Sequence, residues 1–162
     1  MNSGYNRVIT NSLDEVKVMD ITNGNIRRLK RKNIKFGYRH SGLNSYIILE
    51  ATLRLKKNDK KIVAVERARL LDAKKKTQPL DECSAGCVFK NPDNRIPAAL
   101  YIEMSQLKGK KIGDAKISEK HANFIVNVKS AKASDVLRLI SFIRKRVKSH
   151  FNINLIPEIE IV

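Results

Sequence analysis

The sequence predicts an α+β fold, and three observations lead to this prediction. Runs of β-branched and aromatic residues that partly alternate between apolar and polar positions are typical of strands, and they occur in both halves. Stretches with apolar residues at helical spacing lie between them. The resulting order is strands, helix, helix, strand, helix, strand, which favours an α+β protein. With 162 residues, of which 42% are hydrophobic, the chain can form one ordinary domain or two small ones.

The amino-terminal half is predicted to contain a hairpin, a third strand and a long helix. Glu15 to Asp20 alternates apolar and polar residues, and Asn23-Gly24 separates it from a second run at Ile26 to Leu29. This pattern predicts a hairpin whose loop is longer than two residues. Tyr46 to Leu55 is rich in β-forming residues and predicts a strand. Lys60 to Lys76 has helical apolar spacing and a basic end, which suits a helix C-terminus.

The carboxy-terminal half is predicted to contain two helices and two strands. Pro97 to Gln106 predicts a helix with proline at its first position, and Leu107 to Ser118, with two glycines, predicts a loop. Asn123 to Val128 predicts a buried strand. Ser134 is the expected N-cap of a helix whose apolar residues recur at helical spacing. Ile153 to Val162 predicts a terminal strand at an edge or a bend, because it contains a proline.

The charge balance favours anionic partners. The chain has 33 Lys and Arg against 16 Asp and Glu, a net charge of +17 that is spread over many segments. The composition does not favour a nucleic-acid-binding module, because aromatic residues make up only 6% and Trp is absent. No run of about 20 apolar residues could span a membrane, and no secretory signal is recognisable. We therefore expect a cytoplasmic protein without a membrane partner.

The cysteine and histidine residues do not predict a metal site. Cys83 and Cys87 lie four residues apart, and His40, His121 and His150 are scattered along the chain. Four zinc ligands at standard spacing cannot be assembled from this set. Two cysteines in a cytosolic protein are expected to be thiols rather than a disulfide.

The most specific segment is Ser84 to Pro92, which reads Ser-Ala-Gly-Cys-Val-Phe-Lys-Asn-Pro. It places a thiol after a turn of small residues and close to a lysine and an asparagine. Taken alone, Cys87 would more often be a buried small hydrophobe. The segment resembles the proton-donor motif of the UDP-N-acetylenolpyruvoylglucosamine reductase family, flavoenzymes of peptidoglycan precursor synthesis in which the donor is Ser or Cys.

Further motifs of that family follow in the family's order along nearly the whole chain. They are Met1-Asn2-Ser3-Gly4, Phe36-Gly37-Tyr38-Arg39, Thr77-Gln78-Pro79-Leu80-Asp81, Leu107-Lys108-Gly109, Ile112-Gly113, Ser118 to Phe124 and Pro157-Glu158-Ile159. A chance match to one short motif would not reproduce this order. The short interval between Arg39 and Tyr46 leaves no room for a tyrosine insertion found in one branch of the family, so the resemblance is to the branch that lacks it.

The resemblance implies the reduction of UDP-N-acetylglucosamine enolpyruvate to UDP-N-acetylmuramate, with FAD and NADPH as cofactors. It assigns catalytic roles to Arg39, Cys87 and Glu158. Arg39 would hold the substrate carboxylate and stabilise the developing enolate, Glu158 would donate a hydrogen bond to the enol, and Cys87 would protonate the α-carbon. Asn91 and His121 would contact the substrate. Asn2 and Arg39 would bind the cofactor.

The resemblance also implies a domain organisation with a joint near Gln78. Residues 1–78 would be the remnant of a flavin-binding domain, residues 79–151 a small α+β substrate-binding domain, and residues 152–162 a terminal strand carrying Glu158. The family's Gly-rich loop for the FAD pyrophosphate has no counterpart before Met1, and Asp114 replaces the second Gly that usually follows Ile-Gly. We therefore expect an incomplete reductase, and a separate amino-terminal flavin-binding region is a candidate partner.

Two other functions stay open from the sequence. The chain could be a basic protein that binds nucleic acid or another polyanion without catalysis, or an inactive remnant of a reductase. By residue type alone, Arg39 would be one surface cation among many, Glu158 a solvated carboxylate and Asn91 a turn former before proline. His121 is more often structural than functional.

Overall fold

The computed structural model describes residues 3–4, 7–92 and 96–161. It divides into two compact units, Met1–Lys60 and Lys61–Val162. The strands are β1 (Ser3–Gly4), β2 (Arg7–Val8), β3 (Leu13–Asp20), β4 (Ile26–Lys30), β5 (Tyr46–Leu53), β6 (Cys83–Cys87), β7 (Lys111–Ile112), β8 (Ala115–Ile117) and β9 (Phe124–Asn127). The helices are α1 (Lys60–Thr77), α2 (Ala98–Met104) and α3 (Ala133–Phe151). Helices and antiparallel sheets together confirm the predicted α+β class.

The first unit is organised around β3, which pairs antiparallel with β4 on one side and β5 on the other. The predicted hairpin between β3 and β4 and the predicted strand β5 are therefore confirmed. Val16 and Val18 on β3 are buried, and they form a small core with Ile34 and Leu43. Alternation along β3 explains this burial, because residues two apart point to the same face of the sheet.

Much apolar surface of the first unit stays exposed on β5. This strand lies at the edge of its sheet, and Ile47, Ile48 and Leu49 in its first half are each more than two fifths exposed. Since successive residues of a strand point to opposite faces, both faces of β5 present apolar side chains to solvent.

Helix α1 has the bounds that the sequence predicts to within one residue. The structure describes every residue of this helix, and none of them is buried. Val65, for example, is 70% exposed. Basic residues fill its last turn, where they suit the partial negative charge of the helix C-terminus. Across the described part of the chain, no helix combines the length and the apolar character needed to cross a membrane.

The second unit packs α2 and α3 against a four-stranded antiparallel sheet of order β6-β9-β8-β7. The buried residues Ile102 of α2, Ile117 of β8 and Leu139 of α3 belong to one continuous core. Strand β9 lies inside the sheet and confirms the buried strand predicted over Asn123 to Val128. Burial of Leu155 extends this core to the carboxy-terminal segment.

The prediction of a loop over Leu107 to Ser118 is wrong, because this stretch contains the hairpin of β7 and β8. Ile112 pairs with Ala115, so Gly113 and Asp114 form a two-residue turn. Gly113 has φ +57°, the backbone conformation that glycine adopts most readily at the first central position of such a turn. The strands are only two and three residues long, too short for a pattern of alternation to be visible.

The predicted N-cap of α3 is also wrong. The N-cap is Lys132 rather than Ser134, and Asp135 occupies the third helical position. The Asp135 carboxylate accepts a hydrogen bond from the Lys132 backbone N–H at 3.1 Å and a charge-assisted bond from Arg138 at 2.6 Å. The Asp135 carboxylate therefore reaches back from the third helical position and pairs the N–H of the N-cap residue.

The carboxy-terminal segment does not form the predicted strand. Among the described residues after α3, the sheet contact is a single antiparallel bridge between Phe89 and Pro157. Proline lacks the N–H that a longer ladder would need, which limits pairing at this point. Pro97 likewise precedes α2 as its N-cap, one position earlier than predicted.

Candidate active site

The candidate proton donor, Cys87, lies at the end of a bulged strand. Ser84 pairs with Val126 and Cys87 with Phe124, so three steps along β6 match two along β9. The extra residue falls at Ala85-Gly86, and Gly86 has φ +85°. A bulge of this kind changes the direction of the side chain that follows it. Cys87 is half-buried, Cys83 is exposed, and both are free thiols in the structure.

The residues after Cys87 run between two neighbouring segments. On one side, the backbone N–H of Val88 donates to the carbonyl of Asn123 at 2.8 Å. On the other side, the N–H of Glu158 donates to the carbonyl of Val88 at 2.7 Å, and the N–H of Lys90 donates to the carbonyl of Ile156 at 2.9 Å. The segment from Val88 to Lys90 is therefore fixed from both sides.

These bonds bring two of the predicted catalytic residues into one neighbourhood. Glu158 is attached through its backbone to Val88, the residue that directly follows Cys87. Cys87 and Glu158 lie 71 positions apart in the sequence, so the fold alone creates this proximity. Glu158 is half-buried.

His121 lies at the same end of the sheet as Cys87. Its ring packs edge-on against Phe124, the residue paired with Cys87, at 4.8 Å between ring centroids. Burial lowers the pKa of His121 below its ordinary value, and the positive charge of Lys108 acts in the same direction. Nδ1 accepts a hydrogen bond from the backbone N–H of Asn123 at 3.3 Å, which assigns the proton of the neutral ring to Nε2.

Asn91 occupies a structural position as well as a candidate binding position. Its Oδ1 accepts a hydrogen bond from the backbone N–H of Ala98 at 3.0 Å, at the first residue of α2. This bond satisfies a donor that the helix itself cannot pair. Asn91 itself is exposed, so a substrate could reach the rest of the side chain.

Arg39 belongs to the first unit, in the tight turn from Gly37 to His40. The turn is closed by hydrogen bonds in both directions between the backbones of Gly37 and His40, at 2.9 and 3.2 Å. Arg39 has φ +54°, a left-handed conformation that costs energy for any residue with a Cβ. Such strain is concentrated at functional positions. Its guanidinium lies 5.7 Å from the centroid of the exposed Tyr38 ring. Asn2 lies outside the described residues.

Sequence reasoning missed the residue that organises the neighbourhood of Cys87. Asn123 is 3% exposed, and its side chain bonds to the backbone of Phe89 with both its oxygen and its nitrogen. The available signal was a polar residue at the start of an otherwise apolar strand, which indicates a hydrogen-bonded partner. The identity of that partner, 34 positions away, could not be read from the pattern.

Comparison with known proteins defines the class first. Residues 78–162 match the family model for the C-terminal domain of UDP-N-acetylenolpyruvoylglucosamine reductase, so the second unit has the fold of a reductase's carboxy-terminal domain. The match covers more than half of the chain. The chain therefore belongs to the UDP-N-acetylenolpyruvoylglucosamine reductase family, as the resemblance of its motifs predicts.

Individual relatives extend the similarity to the rest of the chain. The UDP-N-acetylenolpyruvoylglucosamine reductase of Clostridium kluyveri is 41% identical over 165 residues, covering 100% of this chain and 54% of that protein. The protein of the same name from Pseudothermotoga lettingae is 41% identical and covers 99% of this chain and 57% of that protein. The crystal structure of the reductase from Thermus caldophilus aligns with a TM-score of 0.78 at 36% identity, over 93% of this chain and 53% of that one. The chain thus spans about half the length of these relatives.

Proposed function

We propose that this chain forms the carboxy-terminal part of a UDP-N-acetylenolpyruvoylglucosamine reductase. The reaction is the NADPH- and FAD-dependent reduction of UDP-N-acetylglucosamine enolpyruvate to UDP-N-acetylmuramate, a step of peptidoglycan precursor synthesis. The observation that carries the proposal is the connection between the bulge bearing Cys87 and the segment bearing Glu158, through the bond from the Glu158 N–H to the Val88 carbonyl. Family membership supports the assignment of the reaction.

The proposed domain assignment follows the same reasoning. Residues 1–78 belong to a flavin-binding domain, residues 79–151 form the substrate-binding domain, and residues 152–162 carry Glu158 back to it. The bridge between Phe89 and Pro157 supports the last assignment, because it attaches the carboxy-terminal segment to the strand that carries Cys87.

The residues of the first unit fit a flavin in their donor chemistry. Arg39 offers a planar set of N–H donors that suits phosphate or carbonyl oxygens, and the exposed ring of Tyr38 lies beside it. We propose that Arg39, together with Asn2, holds the cofactor. When bound and reduced by NADPH, FAD supplies the hydride that adds to the β-carbon of the enolpyruvyl group.

The protein's own residues then stabilise the negative charge and supply the proton at the α-carbon end of the double bond. An enolate develops on the substrate carboxylate side as the β-carbon gains hydride. Arg39 stabilises this charge with a bidentate guanidinium, and Glu158 in its protonated form donates a hydrogen bond to the enol oxygen. Cys87 delivers the proton to the α-carbon. His121, neutral because burial lowers its pKa, and Asn91 orient the substrate.

The decisive experiment replaces Cys87 in a complete enzyme, made by joining the flavin-binding amino-terminal half of a relative to this chain. Cys87→Ala should leave flavin reduction by NADPH near the parent rate, because that half-reaction does not use the thiol. Reoxidation of the flavin by substrate should slow by roughly 10²–10⁴-fold, the usual effect of losing a general acid. Stopped-flow absorbance of the flavin follows the two half-reactions separately.

Two variants control for structural damage. Cys87→Ser should retain more activity than Cys87→Ala, since a hydroxyl can occupy the same position. Cys83→Ala should change neither half-reaction, because Cys83 is exposed at the far end of the same strand. A Cys87→Ala enzyme that reoxidises at the parent rate would remove Cys87 from the mechanism.

A further inference from the structure

We infer that Asn123 is a positioning residue that fixes the orientation of the Cys87 thiol. The inference rests on the proposed function only for the catalytic consequence, since the contacts that carry it are independent of any reaction. Asn123 acts through the backbone of the two residues that follow Cys87.

Three hydrogen bonds connect Asn123 to those two residues. Its backbone carbonyl accepts from the N–H of Val88 at 2.8 Å. Its side-chain Oδ1 accepts from the N–H of Phe89 at 2.9 Å, and its Nδ2 donates to the carbonyl of Phe89 at 2.8 Å. The amide side chain thus pairs with Phe89 as a neighbouring peptide group would.

The strand needs this pairing because its regular ladder ends at Cys87. The pair Cys87–Phe124 is the last one between β6 and β9, and the bulge before it has already shifted the register. A slip of one residue in a strand turns every side chain to the opposite face. The bonds of Val88 and Lys90 to the carboxy-terminal segment fix one side of this stretch. By anchoring Phe89 from the β9 side directly after the bulge, Asn123 opposes the slipped arrangement and holds the Cys87 side chain on its observed face.

Only asparagine meets the geometric requirement at this position. The site needs one acceptor and one donor on a short planar group. Asn123 is buried, and an unpaired polar atom at a buried position is energetically costly. Aspartate supplies two acceptors and would repel the Phe89 carbonyl. Serine supplies one oxygen, and glutamine is longer by one methylene.

The test measures the reactivity of the two thiols in the 162-residue chain with iodoacetamide, read site by site by mass spectrometry. Asn123→Ala should raise the alkylation rate of Cys87 by roughly tenfold, because the loss of two buried hydrogen bonds increases local opening by about that factor. The rate at Cys83 should change by less than about twofold, since Cys83 pairs with Asn127 at the other end of the strand.

Asn127→Ala is the matched control. Asn127 is an exposed asparagine at the end of β9, whereas Asn123 directly precedes that strand. The Oδ1 of Asn127 accepts hydrogen bonds from the backbone N–H groups of Lys129 and Ala131. Its loss should leave the Cys87 rate at the parent value. An Asn123→Ala protein with the parent melting profile and an unchanged Cys87 rate overturns the inference. So does an equal rise at both thiols, which would indicate a general loss of stability.

A second measurement keeps the inference falsifiable if Asn123→Ala does not fold. Amide hydrogen exchange of the parent chain should show strong protection of the Phe89 N–H, and the milder Asn123→Ser variant should lose part of it. Rapid exchange at Phe89 in the parent would overturn the inference. In the complete enzyme, Asn123→Ala should slow flavin reoxidation but not flavin reduction. If the proposed reaction is wrong, the complete parent enzyme will show no turnover with the proposed substrate. The thiol reactivity and hydrogen-exchange results would be unaffected, so the two failures are distinguishable.

Discussion

Arg39 combines a strained backbone with a side chain for which we propose a role in binding. It occupies the third position of the turn from Gly37 to His40, where φ +54° would suit glycine better than arginine. The turn therefore carries a conformational cost that a glycine would not incur. This is the pattern expected where a side chain is retained for what it binds rather than for what it contributes to folding.

A pair of substitutions separates these two contributions. Arg39→Gly and Arg39→Ala both remove the guanidinium, so both should abolish turnover in the complete enzyme. Arg39→Gly should be more stable than Arg39→Ala by roughly 1 kcal/mol, because only glycine relieves the left-handed strain. Chemical unfolding monitored by circular dichroism measures the difference. Equal stability of the two variants would show that the turn holds no such strain.

His121 gives the second unit a pH-dependent stability. Because burial lowers the pKa of His121 in the folded state, the unfolded chain binds its proton first as the pH falls. Stability should therefore decrease as the pH drops below about 6.5, the ordinary pKa of histidine, and the loss should be complete below the folded pKa. Above about pH 6.5 His121 is neutral in both states, so it makes no pH-dependent contribution to stability there.

The measurement is the melting temperature between pH 8 and pH 5 for the parent, His121→Gln and His150→Gln. The gap between the parent and His121→Gln should shift in favour of the variant as the pH falls, because glutamine does not titrate. His150 is exposed near the end of α3, and His150→Gln is the matched control for a His-to-Gln change away from the candidate site. A pH-independent gap for His121→Gln would contradict the assignment.

At the scale of elements, Asp135 connects the start of α3 to the β7–β8 turn. The N–H of Lys132 and the guanidinium of Arg138 both lower the pKa of the Asp135 carboxyl group. The same carboxylate fills the space in front of Gly113, so that a Cβ added to this glycine would collide with it. The absence of a side chain at Gly113 thus allows the helix cap and the hairpin turn to pack together.

Gly113→Ala should be markedly more destabilising than Gly86→Ala. Both glycines lie in the second unit with positive φ, so both substitutions introduce backbone strain. A Cβ at Gly86 meets nothing within 4 Å, whereas one at Gly113 displaces the Asp135 carboxylate from its cap. Differential scanning calorimetry of the two variants should show the larger fall in melting temperature for Gly113→Ala. Equal falls would mean that strain alone determines the loss.

The sequence patterns correctly predicted the elements that are determined by interactions between residues close in the sequence. The β3–β4 hairpin follows from alternation around Asn23-Gly24, and the bounds of α1 follow from periodicity. The β7–β8 hairpin was missed because its strands are too short to show a period, although Gly113-Asp114 is a turn signal. The N-cap of α3 was misplaced because the Asp135 carboxylate caps the helix from its third position, which lets the helix begin before Ser134 with Lys132 as the N-cap.

At the scale of the whole molecule, the candidate site could not be derived from spacing. Glu158 is held beside the Cys87 segment by a backbone bond to Val88, the residue after Cys87, and no periodicity indicates such a contact between distant parts of the chain. The proposed roles of Cys87 and Glu158 come from the order of the family motifs, and the family match over residues 78–162 supports the resemblance on which they rest. Asn123 escaped both routes, since its significance lies in a partner that only the folded structure reveals.

The apolar edge strand β5 determines how this polypeptide behaves when concentrated. Within the residues that the structure describes, the outer edge of β5 has no partner strand and carries isoleucine and leucine on both faces. Such an edge is a template for pairing with another strand, and the +17 charge opposes this self-association by repulsion. Added salt screens that repulsion, so the sedimentation coefficient of the 162-residue chain should rise with salt and with protein concentration. Ile48→Lys, which places a charge on the edge, should suppress the rise. The same response from Leu137→Lys, at an exposed leucine of α3, would show that the edge strand is not the point of contact.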